Sequence, residues 1–114
     1  MSPRTITPRD LINAFESGEY RKGYGRLRRD ISSRNIQYCC LGVACEIAGA
    51  EYDPCESYPL YKVVGDYLYR TDIPWAPWLT PDMQSTLARV NDGSDTFDPV
   101  IEELEAIERL LEDG

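Results

Sequence analysis

Three of the four cysteines lie within seven residues, in the stretch YCCLGVACEIAG. Clustered thiols can bind zinc, form a disulfide or act as nucleophiles. The stretch is apolar and Gly49 ends it, which predicts a helix over Cys39–Ala48. At about 100° per residue, Cys39, Cys40 and Cys45 point in three directions on such a helix and cannot converge on one tetrahedral metal.

The chain has no histidine, so neither a mixed Cys-His zinc site nor a Cys-His nucleophile pair is available. Cysteine behaves as a small hydrophobe and is often buried. Gly42 and Ala44 would let neighbours approach this apolar helix closely. We therefore expect a central core helix that packs against the first helix, the last helix and the hairpin. Zinc binding and redox chemistry are the alternatives. We expect no metal, no cofactor and no catalytic residue, and hence a protein that is not an enzyme.

A second cluster is basic: RKGYGRLRRD holds five Lys or Arg within nine residues. Backbone amides beside glycines and arginine side chains bind phosphate oxygens, and tyrosines can stack on a base. Gly23 and Gly25 argue against a helix, so Tyr20–Arg29 is predicted to be a loop. It lacks the Gly-Lys-Ser/Thr of a P-loop, and a solvated loop with scattered ion pairs is the alternative. The loop residues expected to contact a nucleotide-like anion are Tyr20, Arg21, Lys22, Tyr24, Arg26, Arg28 and Arg29.

Asn91-Asp92-Gly93 is predicted to be a turn between two helices, because these residues tolerate positive φ. The neighbouring carboxylates do not follow the spacing of a 12-residue calcium loop. The segment is interpreted as a capped corner or, alternatively, as a group that orients an arginine or a ligand amine. Asn91 and Asp92 are therefore included in the predicted ligand site.

Aromatic residues are concentrated between residues 52 and 78. Packing explains such a set, and a ligand or partner surface is the alternative, because Tyr and Trp dominate binding hot spots. Trp78 joins the predicted ligand site on this ground.

The final helix, predicted from about Phe97 to Glu112, is acidic outside its apolar stripe. These acidic residues are interpreted as a solvated surface or, alternatively, as a mimic of nucleic acid that binds a host protein.

The elements that must position these residues can be placed from capping signals. Thr7-Pro8 and Thr80-Pro81 are N-cap and N1 pairs that begin helices at Pro8–Glu16 and from Pro81 to about Val90. LYKVVGDYLYR is predicted to be a hairpin around Gly65-Asp66. At 114 residues the chain is expected to form one domain. The predicted fold is α+β, with about four helices around a buried Cys-rich helix and one small β-hairpin.

Charge is distributed unevenly along the chain. Residues 1–36 carry a net charge of +4 and residues 37–114 a net charge of −12. Such a molecule can hold a small anion locally and repels duplex DNA overall. No apolar run approaches the ~18 residues of a membrane span, and the N-terminal residues lack the apolar core of a signal peptide. We expect a cytoplasmic protein with reduced thiols and no membrane contact.

Several short motifs occur in an order that resembles a family of small, functionally uncharacterised proteins of bacteriophages and actinobacteria. That family combines SG-x-Y and G-x-G-x-L segments, a CCLGV-like helix, a Leu-Pro helix start, then Asn-Asp and a helix with Phe and Ile. The matching residues are Ser17, Gly18, Tyr20, Gly23, Gly25, Leu27, Cys39 to Val43, Leu79, Asn91, Asp92, Phe97 and Ile101. Thr80-Pro81 and the arginine-rich segment depart from the family pattern, so a basic anion site would be particular to this chain. The resemblance implies a phage or prophage origin, action in the host cytoplasm and no established activity.

Two hypotheses of different classes follow. The first is a small phage-type binding protein that sequesters a nucleotide-like anionic signal of host defence. The second is a protein–protein inhibitor that engages a host protein through the acidic helix or the aromatic surface. A homodimer is compatible with either hypothesis.

Overall fold

Four helices and two small sheets form the part of the chain that the computed structural model describes, which is residues 4–24, 27–50, 61–64, 67–70, 73 and 75–113. In chain order the elements are α1 (Pro8–Glu16), β1 (Arg21–Lys22), β2 (Arg28–Ser32), β3 (Asn35–Tyr38), α2 (Cys40–Ala48), β4 (Tyr61–Val64), β5 (Tyr67–Arg70), α3 (Pro81–Asp92) and α4 (Asp98–Asp113). The fold is a compact α+β domain, as the sequence predicts. The hairpin β4–β5 is present in antiparallel register.

Local signals in the sequence begin and end the helices. The Thr7 hydroxyl accepts from the Asp10 amide at 3.2 Å, and the Asp10 carboxylate accepts from the Thr7 amide at 2.9 Å, a reciprocal cap on α1. The Thr80 hydroxyl caps α3 by accepting from the Met83 amide at 3.3 Å. Gly49 ends α2 in the left-handed conformation, at φ 73°.

Helix α2 lies at the centre of the core. Seven of its nine residues are buried, which confirms that the Cys-rich helix is a core element. Its chief neighbours are α1, α3 and β3, whereas α4 packs on α1 and α3. The sequence analysis expected the first helix, the last helix and the hairpin as neighbours. The difference arises because a second, three-stranded sheet packs beside α2.

That sheet corrects the prediction of a loop over Tyr20–Arg29. Its strand order is β1-β3-β2, with β1 parallel and β2 antiparallel to β3. None of the described residues of the segment is helical, as the glycines indicated, but two of the three strands come from it. The pattern was missed because β2 is almost entirely exposed, so its sequence RRDIS lacks the apolar–polar alternation of a half-buried strand.

The predicted turn at Asn91-Asp92-Gly93 is also corrected. Asn91 and Asp92 are the last residues of α3, and Gly93 is its C-cap with φ −88°. No described residue other than glycine adopts positive φ. Helix α3 continues because the Asn91 side chain is fully buried and hydrogen-bonded in the core, which favours a helical backbone there over a turn.

The described cysteines are free thiols in the core. Cys39, Cys40 and Cys45 are all buried. Burial raises the pKa of each thiol, most strongly at Cys40 and Cys45. The Cys40 thiol donates to the Leu87 carbonyl oxygen of α3 at 3.5 Å. These are the properties of packing residues, because a reactive cysteine needs an accessible thiolate.

We expect these three thiols to react with a thiol reagent only when the protein unfolds. The measurement is Ellman titration of a Cys55→Ser variant, which removes the cysteine outside the described residues, in native buffer and in guanidinium chloride. Burial blocks the reagent and the raised pKa suppresses the thiolate, so labelling should follow the unfolding transition. Rapid native labelling of Cys39 or Cys40 would contradict the core assignment.

Candidate functional site

Strand register divides the basic residues between two faces of the three-stranded sheet. Arg21 of β1 and Arg29 of β2 are both paired with Gln37 of β3, so the three form a row on one face. Lys22 and Arg28 are both paired with Tyr38 and form the row on the other face. Side chains alternate along a strand, so neighbours in the basic sequence point in opposite directions. We call the face with Arg21 the outer face and the face with Lys22 the inner face.

The inner face packs against the body of the protein. The Arg28 guanidinium lies 2.7 Å from the Asp30 carboxylate of its own strand and 3.9 Å from the Glu46 carboxylate of α2. The Tyr38 ring meets the Tyr20 ring edge-on, with centroids 5.3 Å apart. Arg28 and Tyr20, both in the predicted ligand site, therefore already make contacts within the fold.

Lys22 is the most constrained of the predicted ligand residues. Its ammonium donates to the carbonyl oxygens of Gly23, Asn91 and Ser94 at 3.2, 2.5 and 2.9 Å. It also lies 3.9 Å from the centroid of the Tyr24 ring. Partial burial is the main cause that lowers the pKa of Lys22. An ammonium has three N–H donors, so Lys22 is saturated by the chain and joins β1 to the end of α3.

Asn91 is the centre of the same junction. It is fully buried, and its side-chain amide donates to the Gly23 carbonyl oxygen at 3.0 Å. Its side-chain oxygen accepts from the Cys40 amide at 3.1 Å, at the start of α2. Cys39 is the N-cap of α2 and makes no side-chain cap, so Asn91 supplies that acceptor from α3. Asn91 also donates to the Asp92 carboxylate at 3.1 Å.

The remaining aromatic residues of the predicted site are also engaged. The Tyr24 hydroxyl donates to the Asp95 carboxylate at 2.9 Å, and this bond raises the pKa of Tyr24. The Trp78 indole N–H donates to the Ile6 carbonyl oxygen at 3.0 Å. Arg26, with Gly25, lies outside the described residues.

The outer face is the part of the predicted site that faces solvent. Arg21 and Arg29 are exposed, and Asn35 and Gln37 between them are half-buried. Arg21 donates to the Asn35 side-chain oxygen at 3.4 Å, a long bond consistent with one shared face. Arg29 forms no ion pair with a described residue. Exposed Arg34 lies in the turn that joins β2 to β3.

The spacing on this face suits an anion. Adjacent strands lie about 4.8 Å apart, so Arg21 and Arg29 are about 10 Å apart at their Cα atoms and their long side chains can converge. Asp30, the acid of β2, lies on the inner face with Arg28. Asn35 and Gln37 were missed in the sequence analysis because neither residue is charged, and Arg34 because it follows the glycine-flanked segment. Only the strand register places Asn35 and Gln37 on the face that carries Arg21 and Arg29, and Arg34 lies in the adjoining turn.

Comparisons with protein-family models, with curated proteins and with solved structures find no match for this chain. The resemblance to the phage and actinobacterial family therefore stays a prediction. Four of the residues that carry it, namely Gly23, Cys40, Gly42 and Asn91, lie at internal contacts between elements. Their positions favour a structural role for the shared motifs.

Two further features bear on the class of site. Within the described ranges, no group of three or more Cys, Asp or Glu residues is arranged to hold a metal ion. None of the described helices combines the length and apolarity needed to cross a bilayer.

Proposed function

We propose that this protein is a small binding protein that holds a nucleotide-like anion on the outer face of its three-stranded sheet. The observation that carries the proposal is the row Arg21–Gln37–Arg29, in which two exposed guanidinium groups flank an amide on adjacent strands. Guanidinium groups bind phosphate oxygens in a bidentate manner, and side-chain amides hydrogen-bond to sugars and bases.

Because of these internal contacts, we place the proposed site on the outer face and not in the middle of the basic segment. Lys22, Tyr24 and Arg28 already have partners in the chain, whereas Arg21 and Arg29 point outward. A ligand on the outer face leaves those internal contacts intact. Arg34, exposed in the turn of the same hairpin, adds a further positive charge to the hairpin.

The charge of the whole chain limits the size of the ligand. The outer face is positive, but residues 37–114 carry a net charge of −12. A long polyanion would meet this repulsion, while a mono- or oligonucleotide can be held within the basic patch. The predicted phage origin favours a sequestering role, in which the protein withholds such a molecule from a host defence system.

We expect a nucleotide-like ligand to raise the melting temperature of the protein, and we expect this shift to depend on Arg21 and Arg29. The experiment is a thermal-shift screen against nucleotides, cyclic di- and trinucleotides and ADP-ribose derivatives. A ligand at 100 times its Kd adds about 2.7 kcal/mol of stability. In a domain of this size that corresponds to a shift of roughly 8 °C or more.

Two double variants with the same net charge distinguish binding on the outer face from binding elsewhere on the protein. Arg21→Gln with Arg29→Gln should weaken the binding of any hit by ~100-fold or more, because two charge-assisted contacts are lost. Arg28→Gln with Arg109→Gln changes the net charge equally and should bind within about threefold of the parent protein. A flat screen, or equal weakening by the two double variants, would contradict binding on the outer face.

A further inference from the structure

A groove runs between α3 and α4, on a different part of the molecule from the basic sheet. Its volume is about 210 Å³. Met83, Leu87 and Ile107 supply its apolar surface. The other residues that line it are Asp82, Thr86 and Glu103. The groove is therefore apolar inside and carries a carboxylate on each of its two helices.

The apolar surface continues past the groove toward the end of α4. Leu110 and Leu111 follow Ile107 by three and four positions, so they lie on the same side of the helix one turn later. Their exposed fractions are 67% and 50%, although Leu104 and Ile107 earlier in the helix are buried. By its spacing in the sequence, Leu111 belongs to the same apolar stripe as Leu104 and Ile107. The stripe therefore becomes largely exposed to solvent in the last turn of the helix.

The charge around this surface is predominantly negative. Helix α4 carries seven acidic residues and a single arginine, and the described residues that line the groove include Asp82 and Glu103 but no basic residue. An apolar groove with a carboxylate on each of its two helices complements a helix that is apolar on one face and basic beside it. Such a partner would insert side chains at i, i+3, i+4 and i+7 while its lysines or arginines meet the carboxylates.

We propose that the α3–α4 groove, together with Leu110 and Leu111, docks a basic amphipathic helix of a partner protein. This function is separate from anion binding on the sheet. The occupant is assigned to another protein because the described helices of this chain are acidic or carry only isolated arginines. The clustered basic residues of a second copy, Arg21, Lys22, Arg28 and Arg29, lie on its three-stranded sheet, which offers strands and not a helix to the groove.

The proposal is tested with two fluorescein-labelled peptides of 18 residues made of leucine and lysine. One places leucines on a single helical face, and the other has the same composition with the leucines spread around the helix. Fluorescence anisotropy against the whole protein should show binding of the first peptide, with a Kd at least about tenfold lower than that of the second. The shared composition removes general attraction between a cationic peptide and an acidic protein as an explanation.

Variants then locate the site. Glu103→Lys reverses a groove carboxylate and should raise the Kd by about tenfold or more, since close charge pairs at interfaces are strongly coupled. Glu102→Lys makes the same change on the exposed side of α4 and should alter the Kd by about twofold or less. Leu110→Gln with Leu111→Gln removes apolar surface, keeps good helix formers and should also raise the Kd by about tenfold.

Three results would overturn the proposal. These are equal binding of the two peptides, no binding at about 100 μM protein, or equal effects of Glu103→Lys and Glu102→Lys. Sedimentation velocity adds a separate check on the occupant. A concentration-dependent dimer that the leucine variant abolishes would show that a second copy, and not a partner helix, covers this surface.

Discussion

Replacing Gly42 with alanine is expected to destabilise the protein by about 3 kcal/mol or more, or to prevent folding. A Cβ atom at this position would lie 1.8 Å from the Leu27 carbonyl oxygen and 2.6 Å from the Leu27 carbonyl carbon. Both are backbone atoms at the start of the basic hairpin, so they cannot rotate away as a flexible side chain can. Either α2 or the chain that enters β2 must move.

The sign of the stability change distinguishes the steric effect of this contact from the effect of helix propensity. Glycine to alanine within a helix ordinarily stabilises by about 0.5–1 kcal/mol, because alanine loses less backbone freedom on folding. The steric contact at Gly42 predicts the opposite sign. Urea unfolding followed by circular dichroism measures the difference, and total stabilities of about 5–15 kcal/mol make a loss of this size easy to detect.

Gly93→Ala is the matched control for this substitution. Gly93 has negative φ, and a Cβ there would meet the Arg89 carbonyl oxygen at 3.4 Å, an ordinary contact. The control should change stability by about 0.5 kcal/mol or less. If Gly42→Ala unfolds at the same urea concentration as the parent protein, α2 does not pack against the Leu27 backbone.

The contrast between the helices and the sheet shows which features the sequence can predict. The bounds of α1 match the prediction, Pro8 to Glu16, because the cap is made by residues three positions apart. Gly42 was recognised as a point of close approach, but its partner, Leu27, could not be named. That partner is 15 residues away and depends on where the hairpin packs.

The candidate site also combines features that the local sequence predicts with features that depend on tertiary packing. Arg21, Lys22, Arg28 and Arg29 all belonged to the predicted site, yet their environments differ completely. Only the pairing of β1 and β2 with β3 decides which side chains face solvent, and exposed strands carry little periodic signal. The role of Asn91 could not be predicted for a related reason, since it bonds to residues 51 and 68 positions away.

Asn91→Leu is expected to be the second most destabilising substitution, with a loss of about 3 kcal/mol. The substitution keeps a side chain of similar length and removes both the donor to the Gly23 carbonyl oxygen and the acceptor for the Cys40 amide. Each buried polar group left without a hydrogen-bond partner costs about 1–3 kcal/mol of folding stability, because no water replaces the lost partner. Asn35→Leu, at a half-exposed asparagine of the outer face, should cost about 0.5 kcal/mol or less.

The Asn91 variant also decides between the two roles assigned to that residue. If Asn91 holds the junction of α2, α3 and β1, Asn91→Leu lowers the urea midpoint, and Lys22→Met combined with it costs less than the sum of the two single changes. That non-additivity is expected because Lys22 donates to the Asn91 carbonyl oxygen at the same junction. If Asn91 instead contacts the ligand, the variant keeps the parent midpoint and loses binding. The first outcome would show that the Asn-Asp motif preserves the scaffold on which the outer face is built.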